Sequence, residues 1–148
     1  MRLHFTSKEQ LFVAALLQDR RHVADTIDGD LDGLAERVVR TFVERIDSNG
    51  AGDAFVAIIR SAGDTEVART LLQAMRKEPT AAFAKALDVP DVERRSDLLG
   101  ALFIGIAFSR HVLADGPLAA MSSEELVTSL VAPTRSILFD SSDGPDQP

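Results

Sequence analysis

Eleven consecutive residues, Leu98 to Phe108, read Leu-Leu-Gly-Ala-Leu-Phe-Ile-Gly-Ile-Ala-Phe without a charged or polar side chain. A membrane-spanning helix needs roughly 20 apolar residues, so the run alone is too short to be one. Charged flanks extend it into a single helix expected from about Asp91 to Ala114. At about 100° per residue, Leu98, Leu99, Leu102, Ile106, Ser109 and Leu113 share one face. Gly100, Ala101, Ile104, Ala107, Phe108 and His111 take the other. A helix that is apolar all round must be covered on both sides. Its own core can cover the first side. The second, rich in small residues that let backbones approach, asks for another helix, and a second copy of the chain is the simplest source.

The rest of the chain reads as further helices with turns between them. Ser7 and Gln10 have capping-box spacing and open a helix whose stripe is Phe12, Leu16, Val23 and Ile27. Asp28-Gly29-Asp30 ends it. Leu31, Leu34, Ala35, Val38, Val39, Phe42, Val43 and Ile46 form the cleanest helical period in the chain, with Glu36 and Arg40 paired on its outer side. Ser48 to Asp53 is turn by composition. A short helix carries Phe55, Ile58 and Ile59 and ends near Gly63. Asp64 or Thr65 caps the next, with Val67, Ala68, Leu71, Leu72 and Met75 on one side. Pro79 is expected to kink or break it, and Phe83, Ala86 and Leu87 continue beyond. Ser122 and Glu125 make a second capping box. The final helix carries Leu126, Val127, Leu130, Val131, Thr134, Ile137 and Leu138, with a bend at Pro133. Ser141 to Pro148 has the composition of a disordered tail. No segment alternates at period two. The expected fold is all-α, a bundle of about six helices.

At 45% hydrophobic and 26% charged, the chain is ordinary for a soluble domain of 148 residues. Its net charge is −7, and no more than two basic residues are consecutive. A nucleic-acid surface needs a clustered basic patch, so duplex DNA is not an expected partner of this chain alone. There is no cysteine, which removes disulfides and thiolate chemistry. Met1 to Gln10 has no apolar core of a signal peptide, so a cytoplasmic location is expected, with no membrane partner.

Candidate sites are few. Asp28-Gly29-Asp30-Leu31-Asp32-Gly33 matches the first half of a calcium loop, but the position that should carry a bidentate Glu is Val39. An N-cap at Asp30 with acid in the first turn explains the run better. His4, His22 and His111 have no second ligand at helical spacing, so no metal site is expected. Gly50-Ala51-Gly52 follows no strand and reads as a turn. No catalytic motif or phosphate loop is present, and neither an enzyme nor a cofactor is expected.

The segment His4-Phe5-Thr6-Ser7-Lys8-Glu9-Gln10-Leu11-Phe12 resembles the junction of TetR-family bacterial repressors, where the recognition helix of a helix-turn-helix head meets the regulatory domain. Leu34 to Val43, Leu87 to Arg95, Gly105 to Leu118 and Ser123 to Thr134 resemble successive parts of that regulatory half. On this basis residues 1–6 are the remnant of the junction, 7–139 an effector-binding and dimerisation domain, and 140–148 a tail. The resemblance implies that the last two long helices form a four-helix bundle across a two-fold axis. The expected interface is Gly100, Ala101, Ile104, Ala107, Phe108 and His111 on one helix, with Leu126, Leu130 and Ile137 on the other. It also implies an effector held between helices. Phe42, Phe55, Phe83 and Phe103 are the expected wall, joined by Leu102 and Ile106, and Gln73, Arg110 or His22 are candidate polar groups. Such a lining suits an apolar small molecule. Three readings follow: the regulatory domain of a TetR-like regulator whose head lies elsewhere, a headless partner that heterodimerises with full-length relatives, and a helical small-molecule-binding protein unrelated to transcription.

Overall fold

The computed structural model describes residues 20–50 and 53–141, with the backbone course alone for 20–22 and 24. The expected cap at Ser7, the stripe residues Phe12 and Leu16, the junction around His4, the side chain of His22 and the tail beyond Ser141 all lie outside the described residues. Within them are seven α-helices and no strand: α1 (Arg20–Ile27), α2 (Leu34–Asn49), α3 (Ala54–Arg60), α4 (Thr65–Ala86), α5 (Val92–Ala107), α6 (Pro117–Ala120) and α7 (Ser123–Phe139). A π-helical turn, Phe108–Leu113, continues α5.

α2 is the centre of the bundle. Leu34, Ala35, Val38, Val39, Phe42, Val43 and Ile46 recur at steps of three and four, and all are buried. Burying each large apolar side chain is worth about 1.5–3 kcal/mol, so this stripe decides which way the helix faces. Its principal neighbour is α7, which presents Leu126, Val127, Leu130, Thr134 and Leu138 to the core. Arg40 reaches Glu124 at 2.6 Å near the start of α7, and Arg135 reaches the carbonyl of Asp32 at the other end. The two helices are therefore antiparallel. α5 lies against α7 and α4, and its Leu99, Phe103 and Ala107 complete the same core.

Several termini follow the expected chemistry. The Asp64 carboxylate accepts from the backbone N–H groups of Glu66 and Val67, and Ser122 Oγ accepts from Glu125 N at 3.1 Å. Arg40 also bonds Glu36 one turn back. The Asp30 cap differs. Helix α2 begins at Leu34, after Gly33, with no side-chain cap. The 28–33 turn is held instead from inside the helix, because Arg37 donates to the carbonyls of Thr26 (3.1 Å) and Asp30 (2.7 Å). Gly33 leaves room for this guanidinium: a Cβ there would stand 3.1 Å from Arg37 Nη1.

The two prolines bend the expectation rather than the topology. α4 runs through Pro79 and α7 through Pro133 without a break. Neighbouring helices hold both ends of each, which offsets the missing backbone donor. Arg95, 6% exposed, joins distant parts of the chain. It donates to the carbonyls of Pro90, Ile137 and Asp140, pinning the start of α5 to the C-terminal end of α7. By length and composition Val92–Leu113 also meets the criteria for a membrane span. The same properties suit the core helix of a bundle, and its Leu99, Phe103 and Ala107 side is packed inside this one.

Candidate effector cavity

A cavity of about 620 Å³ opens among α1, α2, α3, α4 and α5. This is within the range of small-molecule sites. Its floor is aromatic. Phe42 and Phe103 stack at 4.0 Å between ring centroids and 3° between planes, and Phe55 meets Phe42 edge-on at 5.6 Å. Phe83 comes in from α4, together with Met75 and Pro79. Leu99 and Ile104 come from α5, and Val23 and Ile27 from α1. Proline at 79 offers no N–H to the carbonyl of Met75, at the stretch of α4 that borders the cavity.

One edge is polar. Thr41, Glu44, Arg45 and Ser48 follow one another along α2 at the side of its apolar stripe. Arg45 Nε donates to Asp53 Oδ1 at 2.9 Å, and its guanidinium lies 4.9 Å from the Phe55 ring centroid. Asp53 is fully buried, and its second oxygen accepts from Phe55 N, which caps α3. Among the described residues Arg45 Nη2 is buried with no hydrogen-bond partner. At the rim, Arg76 of α4 meets Asp97 of α5 at 3.0 Å, and Thr80 donates to Ser96.

The structure brings Phe42, Phe55, Phe83 and Phe103 to one cavity. It does not bring Leu102 or Ile106 there; both are half-buried against the main core. Gln73 is exposed, and Arg110 is engaged elsewhere. Arg45, Glu44 and Asp53 escaped the sequence reading. Arg45 stands just beside the α2 stripe, and Asp53 sits in a segment that reads only as turn.

The face of α5 is rotated from the one expected. Ala107, Leu126 and Leu130 are buried within the chain's own core, Gly100, Ile104 and Ile137 are half-buried, and Ala101 and Phe108 are exposed. The exposed stripe runs through Leu98 (53%), Ala101, Gly105 and Phe108 (39%). Size alone suggests burying Leu98 and exposing Gly100 and Ala107. The stacking of Phe103 on Phe42 sets the rotation instead, because it places Leu99 and Ala107 inward with it. On α7 the exposed residues are Ser123, Glu124, Glu125, Thr128, Ser129, Ala132, Pro133, Arg135 and Ser136.

His111 belongs to neither stripe. It and Arg110 both reach Asp47 at the end of α2. Arg110 Nε and Nη2 donate at 2.7 and 2.9 Å, His111 Nε2 at 2.8 Å and Ser123 Oγ at 2.5 Å. The widened π-helical turn lets consecutive residues 110 and 111 converge on one carboxylate. Burial pushes the Asp47 carboxyl up, but hydrogen bonds from Arg110, Ser123 and His111 outweigh it and bring it down to about 2. Among the described residues no group of three His, Cys, Asp or Glu side chains is arranged to hold a metal ion.

The family model described as "Tetracyclin repressor-like, C-terminal domain" matches residues 32–138. No curated protein and no solved structure matches the chain. The matched span begins just before α2, takes in the four phenylalanines of the cavity floor and α5, and ends in the last turn of α7. With most of its length matched, and with an all-α bundle as its fold, the chain belongs to the TetR family and represents its C-terminal regulatory domain.

Proposed function

We propose that this domain binds an apolar small molecule in the α1–α5 cavity and dimerises through α5 and α7, serving as the regulatory half of a cytoplasmic bacterial transcriptional repressor. The observation that carries the effector reading is the Phe42, Phe55, Phe83 and Phe103 floor under a polar α2 edge. Apolar walls supply the burial, and a few polar groups orient the guest. Helix α1 lends Val23, Thr26 and Ile27 to the wall. A ligand that favours one placement of α1 over another shifts the population of the two, and α1 is the first described element after the junction-like segment in the sequence. Dimerisation rests on the Leu98, Ala101, Gly105 and Phe108 stripe, flanked by the small outward residues of α7. Covering it with a second copy gives a self-complementary contact about a two-fold axis.

Filling the cavity tests the effector reading. Gly100 lines it, and a Cβ at Gly100 would meet no atom within 4 Å. Gly100→Leu should therefore fold at least as well as the parent, since glycine inside a helix costs about 1 kcal/mol against better helix formers. Nile red, a neutral dye, should bind the parent, and the variant should bind it at least tenfold more weakly. Equal binding by both would remove the cavity from consideration.

A further inference from the structure

We propose that the cavity selects ligands carrying a neutral carbonyl group, whose oxygen accepts a hydrogen bond from Arg45. The inference rests on the cavity being the effector site and specifies what that site reads. Three features of Arg45 converge on it.

The first is an unused donor. Arg45, which lines the cavity, spends Nε on Asp53, while its Nη2 is buried with no partner among the described residues. A buried donor without an acceptor is costly, and a ligand that supplies one removes the penalty. The second is charge. Asp53 already neutralises Arg45 and is itself fully buried, and Glu44 lines the same edge. An anionic ligand head beside Arg45 would meet the Glu44 carboxylate and a guanidinium already compensated by Asp53. A carbonyl oxygen takes the hydrogen bond without setting a second negative charge beside Glu44. The third is position. The guanidinium lies over Phe55, and Phe55 meets Phe42 edge-on, so the donor stands at the end of the aromatic floor. A guest whose apolar body covers Phe42 and Phe103 can present its carbonyl there.

The test is a matched trio: benzylacetone, butylbenzene and hydrocinnamate. They share a phenethyl body and end in a ketone, a hydrocarbon and a carboxylate respectively. Each would be titrated at neutral pH against the Nile red complex of the intact chain. Benzylacetone should displace the dye at a concentration at least tenfold below either of the others. Arg45→Lys keeps a cation for Asp53 but lacks the guanidinium fork, and should bring the ketone and hydrocarbon within threefold. Asp53→Asn keeps a good helix cap while uncovering the charge of Arg45, and should turn the preference toward hydrocinnamate. A merely structural Arg45 would not produce that reversal. Parent binding in which the ketone and hydrocarbon are equal, or in which the carboxylate is tightest, overturns the carbonyl reading and leaves the cavity standing. Nile red binding that is absent, or indifferent to Gly100→Leu, overturns the cavity reading and the carbonyl reading with it.

Discussion

Replacing Asp47 by Asn removes one charge at the point where α2, the π-helical turn and the start of α7 meet. The side chain keeps its shape, but its amide would face the Arg110 fork with a donor where an acceptor stood. Arg110 is 9% exposed and Asp47 19%, so the pair is largely withdrawn from water. Breaking a fully buried pair from one side costs about 3–5 kcal/mol. Arg110 keeps the carbonyls of Leu118 (3.0 Å) and Met121 (2.8 Å), which lowers the expectation to about 2–3 kcal/mol. For a domain of this size that is a fall in melting temperature of roughly 5–10 °C. The pH dependence gives a second reading. The folded carboxyl titrates at about 2 against an ordinary 3.8. A depressed carboxyl stabilises the fold above its unfolded value, and that contribution is lost as pH falls through the folded value. The full difference corresponds to roughly 2.5 kcal/mol, and solvent screening of a partly open cluster reduces it to about 1–2 kcal/mol. Urea unfolding of parent and Asp47→Asn should therefore differ most above about pH 4, and the gap should shrink toward pH 2. A gap below about 0.5 kcal/mol at pH 7, or one that stays constant between pH 5 and pH 2, would refute the reasoning.

Two further substitutions probe the bundle's ends and its outer face. Arg95→Met removes three hydrogen bonds to the carbonyls of Pro90, Ile137 and Asp140 and should lower stability in urea by about 3 kcal/mol, and a loss under about 1 kcal/mol would mean that water replaces the guanidinium freely. Gly105→Glu places a charge on the exposed α5 stripe where no atom lies within 4 Å. As a better helix former than glycine, the Glu should leave circular dichroism intact while light scattering reports a monomer in place of a dimer. An unchanged dimer would show that this stripe is not the contact.

The helical periods and several caps are local properties, and the chain spells them out. The Leu34 to Ile46 stripe, the Asp64 and Ser122 caps and the Glu36–Arg40 pair all depend on residues within four positions of one another. Their geometry follows from the helix itself. The four phenylalanines stood out as candidates for one wall through the resemblance to TetR-family regulatory domains, since aromatic residues at helical spacing by themselves mark core packing. The rotation of α5 was not legible. Apolar residues surround that helix, so no periodic contrast marks an inner face, and the stack of Phe103 on Phe42 decides it across 61 positions of chain. Arg45 with Asp53 and Asp47 with Arg110, His111 and Ser123 were illegible for a related reason. A charged residue beside an apolar stripe reads the same whether it faces water or a buried partner. Only the packing of α2 against α3, α7 and the π-helical turn brings the partner within reach and excludes the water that would otherwise compete for it.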